Sequence, residues 1–115
     1  MGAGEFPPAV RALLRDRSGG VCERCEQRPV ADLHHRCPRK QGGSRLPWVG
    51  LASNGLALCD PCHDWVESNR TLAYELGLLI KQGIAEQAGG CASIPFHDTT
   101  GRIWLIFDDG AKVST

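Results

Sequence analysis

Two pairs of cysteines with the same spacing constrain this chain more than any other feature. Cys22 and Cys25 form one C-x-x-C pair, Cys59 and Cys62 form a second, and 33 residues lie between the pairs. Two such pairs can place four thiolates tetrahedrally around one zinc ion, which leaves no open position for chemistry. We therefore predict a structural zinc that closes the base of a hairpin. In a domain this small it would supply about 10 kcal/mol or more of folding free energy.

A thioredoxin-like redox pair and ordinary buried cysteines are the alternatives to zinc. The matched spacing of two pairs favours the metal. Disulfides are less expected, because no apolar stretch typical of a secretory signal follows Met1. The remaining cysteines, Cys37 and Cys91, are interpreted as small apolar side chains that fill the interior. No apolar run approaches the roughly 20 residues that span a bilayer, so we expect a soluble, cytoplasmic protein.

The length of 115 residues fits a single domain. We predict a disordered tail over residues 1–6 and one domain over residues 7–115, with its core at 20–70 and a C-terminal β-hairpin at about 91–113. Within it we expect short helices over 7–20 and 70–77, a helix after the second cysteine pair, and strands over 29–35, 56–59 and 78–83. The stretch between the first two strands is rich in Gly, Pro and Ser and is predicted to be a long loop.

Basic residues concentrate in one acid-free window, although the 13 basic and 13 acidic residues of the whole chain balance. No Asp or Glu occurs between Asp32 and Asp60. The window contains Arg36, Arg39, Lys40 and Arg45. A local patch of this kind can bind the phosphates of nucleic acid on a neutral protein. The alternative is a solvated loop.

Three histidines and one asparagine follow the order His-His, Asn, His along the chain. His34 and His35 end the first predicted strand, Asn54 lies near the second, and His63 follows Cys62 in the first turn of a helix. A hairpin tethered by zinc would bring both strands and the helix to one spot, where a strand histidine and His63 could hold a divalent ion. The alternative for the pair is two structural histidines bonded to backbone groups.

Other polar and aromatic residues are given ordinary roles. Asp32 could share a strand face with His34 and support it, but an ordinary surface charge is the favoured interpretation. His97 is interpreted as a surface or hairpin residue. The tryptophans, which are Trp48, Trp65 and Trp104, are expected to pack in the interior rather than stack on bases.

Together these residues resemble a known group. The segments "CERC", "LHHRCPRKQGGS" and "SNGLALCDPCHDWV" are similar to the zinc-containing HNH endonucleases, above all to their small phage and actinobacterial members. The resemblance covers about residues 10–82. It implies an α+β fold, namely a small ββα-metal, treble-clef-like domain with a structural zinc and a C-terminal β-hairpin.

The resemblance also implies roles for individual residues. His34 and His63 match ligands of a catalytic divalent metal, and His35 matches the general base that activates water. Asn54 matches the residue that fixes the loop and orients that base. Many relatives have a further histidine where this chain has Glu67. A carboxylate one helical turn after His63 can still reach the metal, and its oxygen would favour Mg²⁺ or Mn²⁺ over Ni²⁺ or Zn²⁺.

The sequence thus predicts a metal-dependent endonuclease that hydrolyses DNA phosphodiester bonds. DNA is the expected partner, and the resemblance to phage-type members suggests a further partner such as a phage terminase or another DNA-processing protein. Two rivals come from other classes: a zinc-stabilised DNA-binding module without catalysis, and a module that docks on a packaging or processing machine. Glu67 in the place of histidine supports the first rival, and the near-zero net charge supports the second.

Overall fold

A computed structural model describes residues 6–38 and 46–115 as a small α+β fold with two antiparallel sheets. The helices are α1 (Pro8–Ser18), α2 (Asp60–Ser68), α3 (Arg70–Glu75) and α4 (Gln82–Ala88). The strands are β1 (Asp32–His35), β2 (Gly55–Leu58), β3 (Phe96–His97), β4 (Ile103–Ile106) and β5 (Lys112–Ser114), and a short 3-10 helix (Ala52–Asn54) precedes β2. Within the described ranges, no helix is both long and apolar enough to cross a membrane.

Helix α1 begins and ends where its sequence predicts. Pro8 stands in the first turn, where a missing N–H removes no helical hydrogen bond. Gly19 ends the helix in the left-handed conformation, with φ 66°, and its N–H donates to the carbonyls of Arg15 and Asp16. Leu14, on the inner face, is fully buried. The helix predicted over residues 7–20 is confirmed.

The first sheet and α2 form the part of the fold that carries most of the predicted site residues. β1 pairs with β2 so that His34 lies opposite Leu56 and His35 opposite Gly55. Helix α2 starts directly after β2, with Pro61 in its first turn, and packs against β1. Because β2 and α2 are separated by a single residue, the histidines of β1 and the first two turns of α2 are held close together.

A buried ion-pair network joins α1 to the first cysteine pair and to β5. The Glu23 carboxylate lies between Arg17 Nη2 at 2.6 Å and Lys112 Nζ at 3.3 Å. The same carboxylate accepts a hydrogen bond from the backbone N–H of Ala57 in β2. Since Glu23 and the Arg17 side chain are almost fully buried, these contacts fix the cysteine turn against the sheet. Each charge is compensated by a partner, as buried charges require.

Three apolar clusters fill the interior of the described residues. The largest lies between α2 and the two sheets and includes Leu56, Val66 and Phe96. A second surrounds Trp48 and contains Cys37 and Cys91. A third places residues of α1 and of the segment before it against the 3-10 helix. The packing role predicted for the tryptophans is confirmed, because Trp48 is buried and Trp65 and Trp104 pack against the largest cluster.

The C-terminal region contains one strand more than predicted. β3 and β4 pair as the expected hairpin, with His97 opposite Ile103, and β5 then adds a third antiparallel strand on the other side of β4. His97 lies in β3 and is half-buried. Residues 99–101 form the turn between β3 and β4.

Three sequence predictions about local structure need correction or completion. The predicted tail ends too late, because Phe6 is buried against α1, while residues 1–5 lie outside the described range. The strand predicted over 78–83 is wrong: the N–H groups of Leu78 and Leu79 both donate to the Ala73 carbonyl and so continue the end of α3. The helix α4 was not predicted, and it overlaps the end of that segment.

Candidate functional site

The two cysteine pairs meet at one point of the structure. Cys22 and Cys25 lie in the turn between α1 and β1, Cys59 follows β2, and Cys62 lies in the first turn of α2. The four sulfur atoms are all within 4.8 Å of one another. Sulfur atoms this close, on chain segments 33 residues apart, could hold a structural metal ion such as zinc.

The pKa values of the cysteine thiols differ with their surroundings. Burial raises the pKa of Cys62 to about 12, even though Arg24 Nη1 lies 3.3 Å from its sulfur and opposes the shift. Burial also acts to raise the pKa of Cys25, but backbone hydrogen bonds from Gln27 and Arg28 and contacts with neighbouring thiols outweigh it and lower the pKa to about 7. Metal binding replaces protons on all ligand thiols. In the metal-free protein, Cys25 therefore loses its proton more readily than Cys62.

A second cluster of possible metal ligands lies beside β1. One ligand atom from each of His34, His63 and Glu67 falls within 4.8 Å of the others. The His34 and His63 rings meet edge to face, with their centroids 5.4 Å apart. These side chains border an open cavity of about 250 Å³. The structure thus brings together all three residues predicted to bind the second metal.

One hydrogen bond to each ring indicates which nitrogen keeps a lone pair for a metal. His34 Nε2 lies 2.8 Å from the Leu78 carbonyl, which can only accept, so Nε2 carries the proton and Nδ1 keeps the lone pair. His63 Nδ1 lies 3.1 Å from the Asp32 carboxylate, so Nε2 of His63 is the nitrogen left to bind a metal. Such outer hydrogen bonds orient histidine ligands in metal sites. The residues present therefore fit a divalent ion.

The protonation of His34 suits the same role. Burial lowers its pKa to about 4, although the hydrogen bond to the Leu78 carbonyl acts in the opposite direction. At neutral pH the ring is uncharged and its lone pair is available to a metal.

Glu67 extends from the second turn of α2 into an exposed pair with Arg70. Arg70 Nη1 lies 3.0 Å from Glu67 Oε2, while Arg70 Nη2 donates to the Tyr74 hydroxyl. An exposed pair of this kind contributes little stability. Its effect is to restrict the directions in which the Glu67 carboxylate can point.

His35 lies next to this cluster and borders the same cavity. Its ring is half-buried and stacks on Phe6, with centroids 4.0 Å apart and an interplanar angle of 8°. Asn54 does not reach the cavity. It is fully buried, its Oδ1 accepts from the Cys37 N–H, and its Nδ2 donates to the carbonyls of Cys37 and Val49. Asn54 therefore holds the segment after β1 to the segment before the 3-10 helix.

Arg36, predicted to bind phosphate, is instead fully buried in the structure. Its guanidinium donates to five backbone carbonyls, which belong to Ser53, Gly77, Cys91, Ile94 and Pro95. All five N–H donors of an arginine are used by such a set, so none remains for DNA. The prediction for Arg36 is wrong. Arg39, Lys40 and Arg45 lie outside the described residues, and their predicted phosphate contacts stay predictions.

Two residues near the cavity have roles that sequence reasoning missed. Asp32 supports a histidine, but its partner is His63 on α2 and not His34 on its own strand. The sequence signal for this role is that Asp32 begins the strand that carries His34 and His35. Phe6 was assigned to a tail, and no local pattern indicates that it contacts His35. The other cysteines, Cys37 and Cys91, are buried in the cluster around Trp48, which agrees with the interpretation as filling side chains.

Comparisons with known proteins add no relative. The chain matches no protein-family model, and neither the curated proteins nor the solved structures give a significant match. The candidate site is therefore interpreted from its own residues.

Proposed function

We propose that this protein is a metal-dependent endonuclease of the HNH type that hydrolyses DNA phosphodiester bonds. One observation carries the proposal: three potential metal ligands, His34, His63 and Glu67, converge on an open cavity that a further histidine, His35, also borders. A metal site beside a histidine that can accept a proton is what hydrolysis of a phosphodiester needs. The ββα-metal architecture is part of this proposal and is supported by the order β1, β2, α2 around the cavity.

The cysteine cluster would hold a structural zinc. Its four donors are all sulfur, which suits zinc far better than magnesium or calcium. Four protein ligands would fill a tetrahedral coordination sphere, so this metal would have no place for water or substrate. The chemistry is therefore assigned to the histidine site alone.

At the histidine site His34, His63 and Glu67 would hold a divalent ion, with magnesium, manganese, nickel and zinc as candidates. When bound, such an ion supplies positive charge against the phosphate oxygens and the departing 3′ oxygen. His35 would accept a proton from the attacking water, since a neutral imidazole can do so near pH 7. Leu78 and Asp32 keep the two ligand histidines in the required tautomers. Asn54 acts from a distance, by fixing the segment that follows His35.

DNA as the substrate rests on the resemblance of the segments around these residues to HNH endonucleases. A single site of this kind cuts one strand in each encounter, so nicking is the minimum activity. A role with a phage terminase or another DNA-processing protein rests on the same resemblance.

The test is cleavage of supercoiled plasmid. The protein is dialysed against citrate, and retention of the cysteine-bound metal is checked by atomic absorption. Magnesium, manganese, nickel or zinc is then restored singly. We expect nicked or linear DNA with at least one metal, and a rate reduced by about 100-fold or more in His35→Ala, because the general base is lost.

His97→Ala is the matched control, because this histidine lies in β3 and outside the cavity. It should cleave at the normal rate. If His35→Ala cuts as fast as the normal protein, His35 is not the general base. If no metal supports cleavage, the nuclease assignment is wrong. Plasmid binding without cleavage would then favour a metal-stabilised DNA-binding module, and absence of binding would favour a docking module.

A further inference from the structure

We infer that Phe6 is a positioning residue for His35, and this inference rests on the proposed role of His35 as general base. Phe6 precedes α1 and is only 4% exposed. Its ring lies flat against the imidazole at a centroid distance of 4.0 Å and an angle of 8°. The aromatic ring therefore covers one face of His35. The ring nitrogens, which lie at the edge of the imidazole, stay uncovered by Phe6.

The space for Phe6 is created by a missing side chain on the neighbouring strand. Gly55 lies directly opposite His35 in the β1–β2 pair. A Cβ at Gly55 would lie 3.0 Å from Phe6 Cζ and 2.6 Å from Leu14 Cδ1, both closer than normal contact. The backbone of Gly55, with φ −109°, is open to any residue. The requirement for glycine here is thus one of space, and the space is filled by Phe6 and Leu14.

Phe6 is itself fixed by the rest of its cluster. It packs with Leu14 and Ala52, which are both fully buried and belong to α1 and the 3-10 helix. The imidazole thus rests against a ring that cannot easily move. This matters because His35 is only half-buried and stands near the end of a short strand. Proton transfer depends on a narrow range of orientations, and a misplacement of about 1 Å can cost about 100-fold in rate.

The test compares two changes that disturb the stack in different ways. Phe6→Leu keeps an apolar side chain but removes the aromatic ring. Gly55→Ala leaves both rings in the sequence, and its added Cβ would conflict with Leu14 Cδ1 at 2.6 Å and with Phe6 Cζ at 3.0 Å, so that the packing beneath His35 must shift. For each variant we expect kcat for plasmid nicking to fall by about tenfold or more, with little change in KM, because orientation of the base and not DNA binding is affected.

Leu13→Ala is the matched control. Leu13 packs against the same cluster from α1, and a Cβ added at Gly110 would lie 3.1 Å from its Cδ2. Its truncation should lower the melting temperature while leaving kcat unchanged. A structural role of Phe6 alone would make Phe6→Leu behave like Leu13→Ala, and that result would overturn the inference.

An NMR measurement provides a readout that does not depend on cleavage. In protein labelled with ¹³C-histidine, stacking on Phe6 should shift the His35 ring protons upfield, and His35→Ala assigns these signals. The shift should disappear in Phe6→Leu and persist in Leu13→Ala. His35 signals that do not move in Phe6→Leu would also overturn the inference. If the shift behaves as expected but the normal protein cuts no DNA, the stack exists and the proposed nuclease function is wrong. Phe6 then orients His35 but has no role in catalysis, and the inference fails.

Discussion

At the scale of single residues, the buried charge of Arg36 has a structural role. Its guanidinium links three segments that are distant in sequence, through carbonyls at Ser53, at Gly77 and within 91–95. Burial lowers the pKa of Arg36 to about 10, so the side chain remains charged at neutral pH. The charge is compensated by the dipoles of the carbonyls. The segment that follows α4 is therefore tied to the end of β1 by one side chain.

We predict that Arg36→Lys lowers the free energy of unfolding by about 3 kcal/mol or more. A lysine offers three donors in place of five and cannot reproduce the planar fork, so buried carbonyls lose their partners. Urea denaturation followed by tryptophan fluorescence measures the loss. The control is Arg15→Lys on the exposed side of α1, which should change stability by no more than about 0.5 kcal/mol. An equally small change in Arg36→Lys would contradict the structural role.

The phosphate role first predicted for Arg36 came from its place in an acid-free, basic window beside two histidines. That window is a property of the sequence alone. Burial of Arg36 depends on carbonyls between 17 and 59 residues away, and no local pattern reports them. The candidate ligands His34, His63 and Glu67 are predicted from the resemblance of their short segments to HNH endonucleases, and the structure brings them together. Their supports, Leu78 and Asp32, meet them only in the folded chain.

At the scale of elements, the turn between β3 and β4 is organised by one carboxylate. Asp98 Oδ1 accepts from the backbone N–H groups of Thr100 and Arg102 and from the Thr100 hydroxyl. Asp98 Oδ2 accepts from Trp104 Nε1 at 2.9 Å. Burial acts to raise the pKa of Asp98, but these hydrogen bonds, led by Thr100 and Trp104, outweigh it and hold the pKa below its ordinary value. The turn is thereby locked to the strand that follows it.

We predict that Asp98→Asn lowers the free energy of unfolding by about 2 kcal/mol at pH 7. Both carboxylate oxygens accept hydrogen bonds, and the amide NH2 that replaces one of them can only donate, so at least one donor loses its partner. The effect depends on pH. Since the folded pKa of Asp98 lies below the unfolded value, the charged form stabilises the fold fully above the unfolded pKa, and this contribution is lost as pH falls through the folded pKa. The difference between normal and Asp98→Asn protein should thus shrink below about pH 4. Urea titrations between pH 3 and 7 measure it, with exposed Asp64→Asn as control; a pH-independent difference would refute the assignment.

Elements with strong end signals could be read from the sequence, and those without them could not. Prolines and Gly19 mark both ends of α1, and the turn at 99–101 has the small polar residues that turns need. The run 78–80 is Leu-Leu-Ile, which looks like a buried strand. These residues connect α3 to α4 and are buried. Their backbone N–H groups donate to the carbonyls of Ala73 and Arg36 and not to a sheet strand. Helix α4 includes Gly83, a weak helix former, so its pattern is faint.

At the scale of the whole molecule, the cysteine cluster and the histidine cluster share the same two elements. Cys59 and Cys62 lie at the junction of β2 and α2, and His63 follows at once. Fixing this junction to the turn that bears Cys22 therefore also fixes the direction in which α2 presents His63 and Glu67 to β1. The cysteine cluster would in this way determine the geometry of the candidate active site while remaining outside it.

The last prediction concerns loss of the cysteine-bound metal. Cys59→Ala should reduce the zinc content of the purified protein from about one ion per chain to near zero and lower the free energy of unfolding by about 4 kcal/mol or more. The melting temperature should fall by roughly 15 °C or more. Cys37→Ala is the matched control, because this buried cysteine lies outside the cluster; it should keep its zinc and lose only about 1 kcal/mol. Zinc content is measured by atomic absorption and unfolding by circular dichroism. Equal zinc content and equal stability in the two variants would show that the cluster holds no structural metal, and the fixed junction between β2 and α2 would then need another explanation.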